Sequence, residues 1–173
     1  MKASFLVVAF LLMVVGANIA ITQFGVVPIG FGLMAPAGVY FAGVSFTLRD
    51  ALQETGGRKW VIGAILIGAA LSAVLSSRLA LASGTAFMLS EAADFAVYTP
   101  LRRRGWLLAV AASNAAGLVI DSALFLWLAF GSLDYLTGQV IGKAYMTVAA
   151  IIVIATWRWR GVLLRRTSSR MAQ

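Results

Sequence analysis

Neither cysteine nor histidine occurs in the chain. The first absence excludes disulfides and thiolate metal sites. The second removes the commonest metal ligand and the commonest general base, so neither a metal nor a cofactor is expected. Proline occurs only three times, and charged residues make up 12% of the chain against 61% hydrophobic. A soluble domain of 173 residues cannot hide so much apolar surface, which points to an integral membrane protein of one compact bundle. Acids are scarcer than bases, six against fourteen, for a formal charge of +8. Such an excess raises the question of nucleic acid, which the placement of the bases answers.

Six apolar segments, roughly 3–22, 27–48, 60–78, 82–100, 106–130 and 138–157, are each near the ~20 residues that cross a bilayer. Lipid offers backbone groups no partners, so such runs are expected as helices. The expected fold is an all-α membrane protein: a six-transmembrane-helix bundle over residues 1–160, with a basic tail over 161–173. Lys2 precedes the first segment; Arg49, Arg58 and Lys59 follow the second, and Arg102, Arg103 and Arg104 the fourth. Arg158, Arg160, Arg165, Arg166 and Arg170 follow the sixth. If all six segments cross, these bases share one side, and the positive-inside rule puts both termini in the cytoplasm. Trp60, Trp106, Trp157 and Trp159 flank the same clusters, as an interfacial belt does. The charge is therefore a topology signal and not a nucleic-acid footprint. The opening "MK", apolar run and "ANIA" (17–20) imitate a signal peptide, but the run is long enough to remain as a span.

The second span, 27–48, is unlike the others, being interrupted by Gly30, Gly32, Pro36, Gly38 and Gly43. Pro36 is expected to kink or break a helix there. Such a break either lines a solute path or reflects close helix packing through small residues. Beyond it, Glu54 and Arg58 are spaced to pair, and Gly56–Gly57 reads as a helix stop.

Charges at depth carry the functional signal. At ~1.5 Å per residue, Glu91 and Asp121 each lie ~14 Å inward from the outer ends of the fourth and fifth spans, and Lys143 lies ~8 Å inward in the sixth. Each costs about 2.5–3.5 kcal/mol at the bilayer centre, so the chain carries them only if they face each other, a wet cavity or a ligand. Helical spacing groups them into stripes: Phe87, Glu91, Asp94 and Tyr98; Asn114, Gly117, Asp121 and Phe125; Gln139, Lys143 and Thr147. Two readings stand side by side. One is an internal salt bridge, Lys143 with Asp121 or Glu91, that fixes helix register. The other is a binding site for a polar solute, with aromatic rings among its walls. Asp94 is either an entrance group or a partner of Arg102, and Tyr98-Thr99-Pro100 is expected to end its helix.

Four stretches, "PAGVYFAGVSFTLRD" (36–50), "SEAADFAVYTPLRR" (90–103), "SNAAGLVIDSALFLWLAFG" (113–131) and "GQVIGKAYMT" (138–147), resemble the queuosine-precursor transporter family, also called the VUT family. The resemblance runs in order through five of the six spans and includes the intramembrane acids and the lysine. It implies a bacterial inner-membrane, multi-pass protein that imports 7-cyano- or 7-aminomethyl-7-deazaguanine for tRNA modification. By position, Arg49, Asp94, Asn114, Asp121 and Lys143 match the family's polar pattern, whereas Ser45 stands where many relatives have an acid and Glu91 where many have an amide. The expected substrate-binding set is Glu91, Asp94, Asn114, Asp121, Lys143, Tyr98 and Phe87. A carboxylate can accept two adjacent donors from a guanine-like edge, Lys143 or Asn114 can donate to its carbonyl, and an aromatic ring can stack on it.

An enzyme is disfavoured by inventory. Besides lacking His and Cys, the sequence has no G-x-G-D or G-x-S-G motif and no nucleotide-binding loop. The main alternative is a substrate-capturing subunit of a multi-component vitamin or nucleobase uptake system, docked through the small pair Gly16 and Ala20. The expected partners are the 7-deazapurine and the lipid bilayer, with no nucleic acid; a homo-oligomer is compatible with this reading. Import by proton coupling and by facilitated diffusion are both compatible with the acids present.

Overall fold

The computed structural model describes residues 3–171, with side chains described for all of these except 106, 107, 110, 154, 155 and those from 157 onward. Eight elements follow in order: α1 (Ala3–Phe24), β1 (Val26–Gly30), β2 (Leu33–Pro36), α2 (Val39–Gly56), α3 (Arg58–Leu75), α4 (Ser77–Leu101), α5 (Trp106–Phe130) and α6 (Leu136–Met171). The belt expected of Trp106, Trp157 and Trp159, and the placement of Lys2 and of the basic side chains after 157, lie outside the described residues.

Six helices form, but the second apolar segment is not one continuous helix. Its first ten residues, 27–36, belong to an antiparallel hairpin pairing Val26 with Pro36 and Gly30 with Leu33. The β-branched run Val26-Val27 and Ile29 favours strand. The chain reverses through Phe31 and Gly32, whose φ values are 52° and 72°. Positive φ at both central residues is the signature of the tight hairpin turn whose twist matches its strands. Pro36 therefore kinks no helix: it ends β2 at the hairpin's open end, where its missing N–H is harmless. Composition alone did not expose this, because lipid demands only that backbone groups be paired, and a hairpin pairs many of its own.

Turn chemistry sets the other boundaries. Gly57, at φ 78°, separates α2 from α3, so the expected helix stop is present. Ser76 caps α4 by accepting from Leu79 N. Gly131, in the left-handed conformation, closes α5. Helix α4 ends at Leu101, C-capped by Arg102, one residue past Pro100. Glu54 and Arg58 make no ion pair, since the Gly56–Gly57 break takes them off a common helix face.

The principal packing contacts link the helices in a ring, α1–α3–α4–α5–α6–α2 and back to α1, with α4 and α5 the most extensive pair. Two apolar clusters close this ring at different levels. Leu6, Phe10, Leu52, Val61 and Ala64 pack where α1 begins and α2 turns into α3. Ile21, Leu79, Ala82, Ala86, Phe125 and Ala129 pack toward the α3–α4 turn. The outer faces are apolar too: Leu12, Leu66, Val74, Leu81, Phe95 and Val153 are each more than half exposed. A surface of that kind is at home in lipid.

Among the described residues, four helices are long and apolar enough to cross a membrane: α1, α3, α5 from Ala111 and α6 through Val153. The remaining two, α2 and α4, carry Arg49, Asp50, Glu54, Arg78, Glu91 and Asp94. These charges are what separates them from the other four. The chain is a multi-pass membrane protein with its acids concentrated on those two helices, α5 and the α5–α6 turn.

Candidate functional site

Between the two apolar clusters lies a cavity of about 110 Å³ whose wall takes residues from all six helices. A single water needs only about 10–15 Å³ measured this way, so the space suits a small solute and not a lone water.

Among the described residues, Lys143 is the largest fully buried side chain. Helix α6 delivers it to the cavity, where its Nζ donates to Asp121 Oδ2 of α5 at 2.5 Å. The ammonium also lies 5.7 Å from the Phe46 ring centre and 6.0 Å from that of Phe125, within cation–π range. Close approach of α2 to α6 makes this level compact: a Cβ on Gly43 would lie 2.5 Å from Met146 Cβ and 2.6 Å from the Lys143 carbonyl oxygen. Thr147 Oγ1 fastens the same crossing by donating to Gly43 O at 3.1 Å.

A second ion pair borders the cavity. Arg49 of α2 donates to Glu91 of α4, and also to Asp50 Oδ1 from Nε at 2.8 Å and from Nη2 at 2.6 Å. Its guanidinium is held between Phe46 and Phe87, 5.6 and 5.5 Å from their ring centres. Phe46 thus has Arg49 and Lys143 as neighbours and links the two ion pairs. Arg49 was expected to follow the second apolar segment. Because α2 continues to Gly56, it is instead a helical residue with its side chain only 14% exposed.

The rest of the polar wall is uncharged. Asn18 of α1, 3% exposed, donates to Ser72 Oγ of α3 at 2.6 Å. Ser45 donates to Phe41 O. Gln139, one helical turn before Lys143, is 2% exposed, and its Oε1 has no hydrogen-bond partner.

Of the seven residues expected to bind a solute, three line the cavity: Asp121, Lys143 and Phe87. Glu91 does not line it; its carboxylate turns to Arg49, on the far side of Phe87 and Phe46. The expected convergence of three charges is therefore a meeting of two, with the third held in a neighbouring pair. Asp94 faces Gly117 across the α4–α5 contact, 3.7 Å from the position a Cβ there would take. It forms no ion pair with Arg102, whose guanidinium lies over the Tyr98 ring at 5.9 Å. Tyr98 lies near the end of α4, away from the cavity. Asn114 is exposed and outside it as well.

Phe46, Asn18, Ser72 and Gln139 line the site without having been singled out as binding residues. Two of them left a signal. Asn18 is an amide set among the apolar residues of α1, and Gln139 shares the helical stripe of Lys143. Gly16 of the supposed docking pair is covered within the chain, since a Cβ there would meet Phe41 Cδ1 at 2.9 Å.

No curated protein and no solved structure matches the chain. A family model described as "Putative vitamin uptake transporter" matches residues 69–160. That segment is just over half of the chain and includes Glu91, Asp121, Gln139 and Lys143, and with it the chain belongs to the VUT family of vitamin uptake transporters.

Proposed function

We propose that the protein imports a queuosine precursor of the 7-deazaguanine type, 7-cyano- or 7-aminomethyl-7-deazaguanine, across the bacterial inner membrane. In this reading α2 and α4 cross the bilayer with the other four helices, both termini are cytoplasmic, and residues 161–173 form a basic tail. The observation that carries it is the cavity enclosed by six helices with the Lys143–Asp121 pair in its wall. A buried charge pair is expensive in lipid, and a polar solute gives it a use that packing alone does not.

The solute lies against Phe87 and Phe125, whose ring faces suit a flat heterocycle and contribute about 1–3 kcal/mol per stacked base. Lys143 donates to the ring carbonyl, and Asp121 keeps the ammonium oriented and its charge balanced. Toward the α2–α3 turn the path is closed by Phe46, Phe87 and the Arg49–Glu91 bridge. Release on that side requires the bridge to part, and its partial exposure makes parting inexpensive.

The test is uptake of radiolabelled 7-cyano-7-deazaguanine and its aminomethyl relative into liposomes holding the purified chain alone. Saturable accumulation above empty liposomes, lost in Lys143→Met, supports the reading. Binding without accumulation supports a capture subunit instead, and neither binding nor uptake of either compound overturns the substrate class.

A further inference from the structure

Most polar groups on the cavity wall are already engaged. Asp121 Oδ2 holds Lys143, Asn18 holds Ser72, and Ser45 bonds its own helix. Gln139 and Ser83 are the lining polar side chains that make no hydrogen bond among the described residues, and of the two Gln139 is the buried one. It lines the cavity at 2% exposure, yet its carboxamide makes no hydrogen bond among the described residues, and its Oε1 is shut away from any donor. Leaving a buried acceptor unpaired is costly, and native structures rarely do so without a use for the group.

The position of Gln139 says what it can use. A carboxamide holds an acceptor and a donor side by side in one plane, the complement of a ring edge with a donor next to an acceptor. Such an edge is either a lactam, N–H beside C=O, or an amine beside a ring nitrogen. Lys143 chooses between them. It lies four residues along the same helix face and offers only donors. An exocyclic amine turned toward that ammonium would set donor against donor, whereas a carbonyl accepts from both Gln139 and Lys143.

We propose that Gln139 is the specificity-determining residue of the cavity and that its carboxamide pairs with the lactam edge of a planar heterocycle. This rests on the solute-binding reading given above and sharpens it. The edge is read by a neutral amide, not by a carboxylate, which leaves Asp121 free to balance Lys143.

The experiment measures binding to the full chain in lipid nanodiscs with three probes: 7-deazaguanine, its N1-methyl derivative and 7-deazaadenine. In the native protein, N1-methylation weakens binding about 10–100-fold, the discrimination typical of a bidentate pair, and 7-deazaadenine binds no better than the methylated compound. In Gln139→Leu, 7-deazaguanine weakens by a similar factor and the methylation penalty disappears. The melting temperature of that variant stays level or rises, because a buried orphan acceptor has been removed. Gln139→Met, close in length, gives the same pattern and separates lost recognition from altered packing. A methylation penalty that persists in both variants overturns the role of Gln139, as does a lowered melting temperature in both. Native protein that binds 7-deazaadenine as tightly as 7-deazaguanine overturns the lactam assignment. Native protein that binds none of the three overturns this inference together with the substrate reading beneath it.

Discussion

Among the described residues, two ion pairs join helices in this bundle, and their depths differ. Lys143–Asp121 ties α6 to α5 with side chains 2% and 11% exposed. Arg49–Glu91 ties α2 to α4 with side chains 14% and 39% exposed, and Arg49 divides itself between Glu91 and Asp50. Breaking the first strands a charge that is almost fully buried; breaking the second leaves a carboxylate that is already partly exposed and an arginine that keeps Asp50. The same chemistry therefore serves two ends. In the proposed function the deep, exclusive pair is a fixed part of the solute site, whereas the shallow, shared pair opens and closes.

The largest effect is expected where the deep pair is broken from one side. Lys143→Met leaves Asp121 buried and alone, which costs about 3–5 kcal/mol of stability and abolishes uptake. Replacing both partners, Lys143→Met with Asp121→Leu, removes the stranded charge and restores stability to native or slightly above, by up to about 1–4 kcal/mol, without restoring uptake. Melting curves set beside liposome uptake test this. Uptake that returns with stability in the double variant makes the pair a register peg only.

Next in size is the close crossing of α2 and α6 that presents the lysine. Gly43→Val places a branched side chain against Met146 and the Lys143 carbonyl, and is expected to cost about 1–3 kcal/mol through forced separation of the helices. Gly63→Val, where a Cβ meets nothing within 4 Å, controls for the entropy and propensity of replacing a helical glycine.

Breaking the shallow pair has a smaller effect on stability. Glu91→Gln is expected to change it by no more than about 1 kcal/mol, and the change shrinks with added salt. Its effect on uptake is expected to be larger in proportion, because in the proposed function the bridge closes the path next to Phe46 and Phe87. Uptake and melting measured on one preparation at low and high salt separate the two effects. Smallest of all is Asn114→Ala, a substitution at an exposed position off the cavity: stability stays within about 0.5 kcal/mol and uptake is unchanged.

Much of this was legible in the sequence, for physical reasons. The apolar runs gave the helices because lipid leaves few alternatives, and α5 spans the residues expected of it, 106–130. Asp121 and Lys143 announced themselves because charge inside an apolar run is costly. What stayed hidden depends on contacts distant in sequence. The hairpin at Val26–Pro36 reads as apolar filler until Phe31 and Gly32 are seen to turn. Glu91 has the right depth for the cavity, but Arg49, 42 residues earlier in sequence, captures it. Arg49 was placed just past the second apolar run, 27–48, because composition does not show that α2 continues to Gly56. Gln139 was visible on the stripe of Lys143, but only burial without a partner marks it for a role.

The account stands on one claim: the space beside Lys143 and Asp121 is where a deazapurine binds. Calorimetric titration of 7-cyano-7-deazaguanine into the native chain and into the stable Lys143→Met, Asp121→Leu double variant, both in nanodiscs, addresses it most directly. The account predicts saturable binding to the native protein and at least about a tenfold loss in the folded double variant, as removing a charge-assisted hydrogen bond to the solute requires. Equal affinity in the two proteins would contradict it.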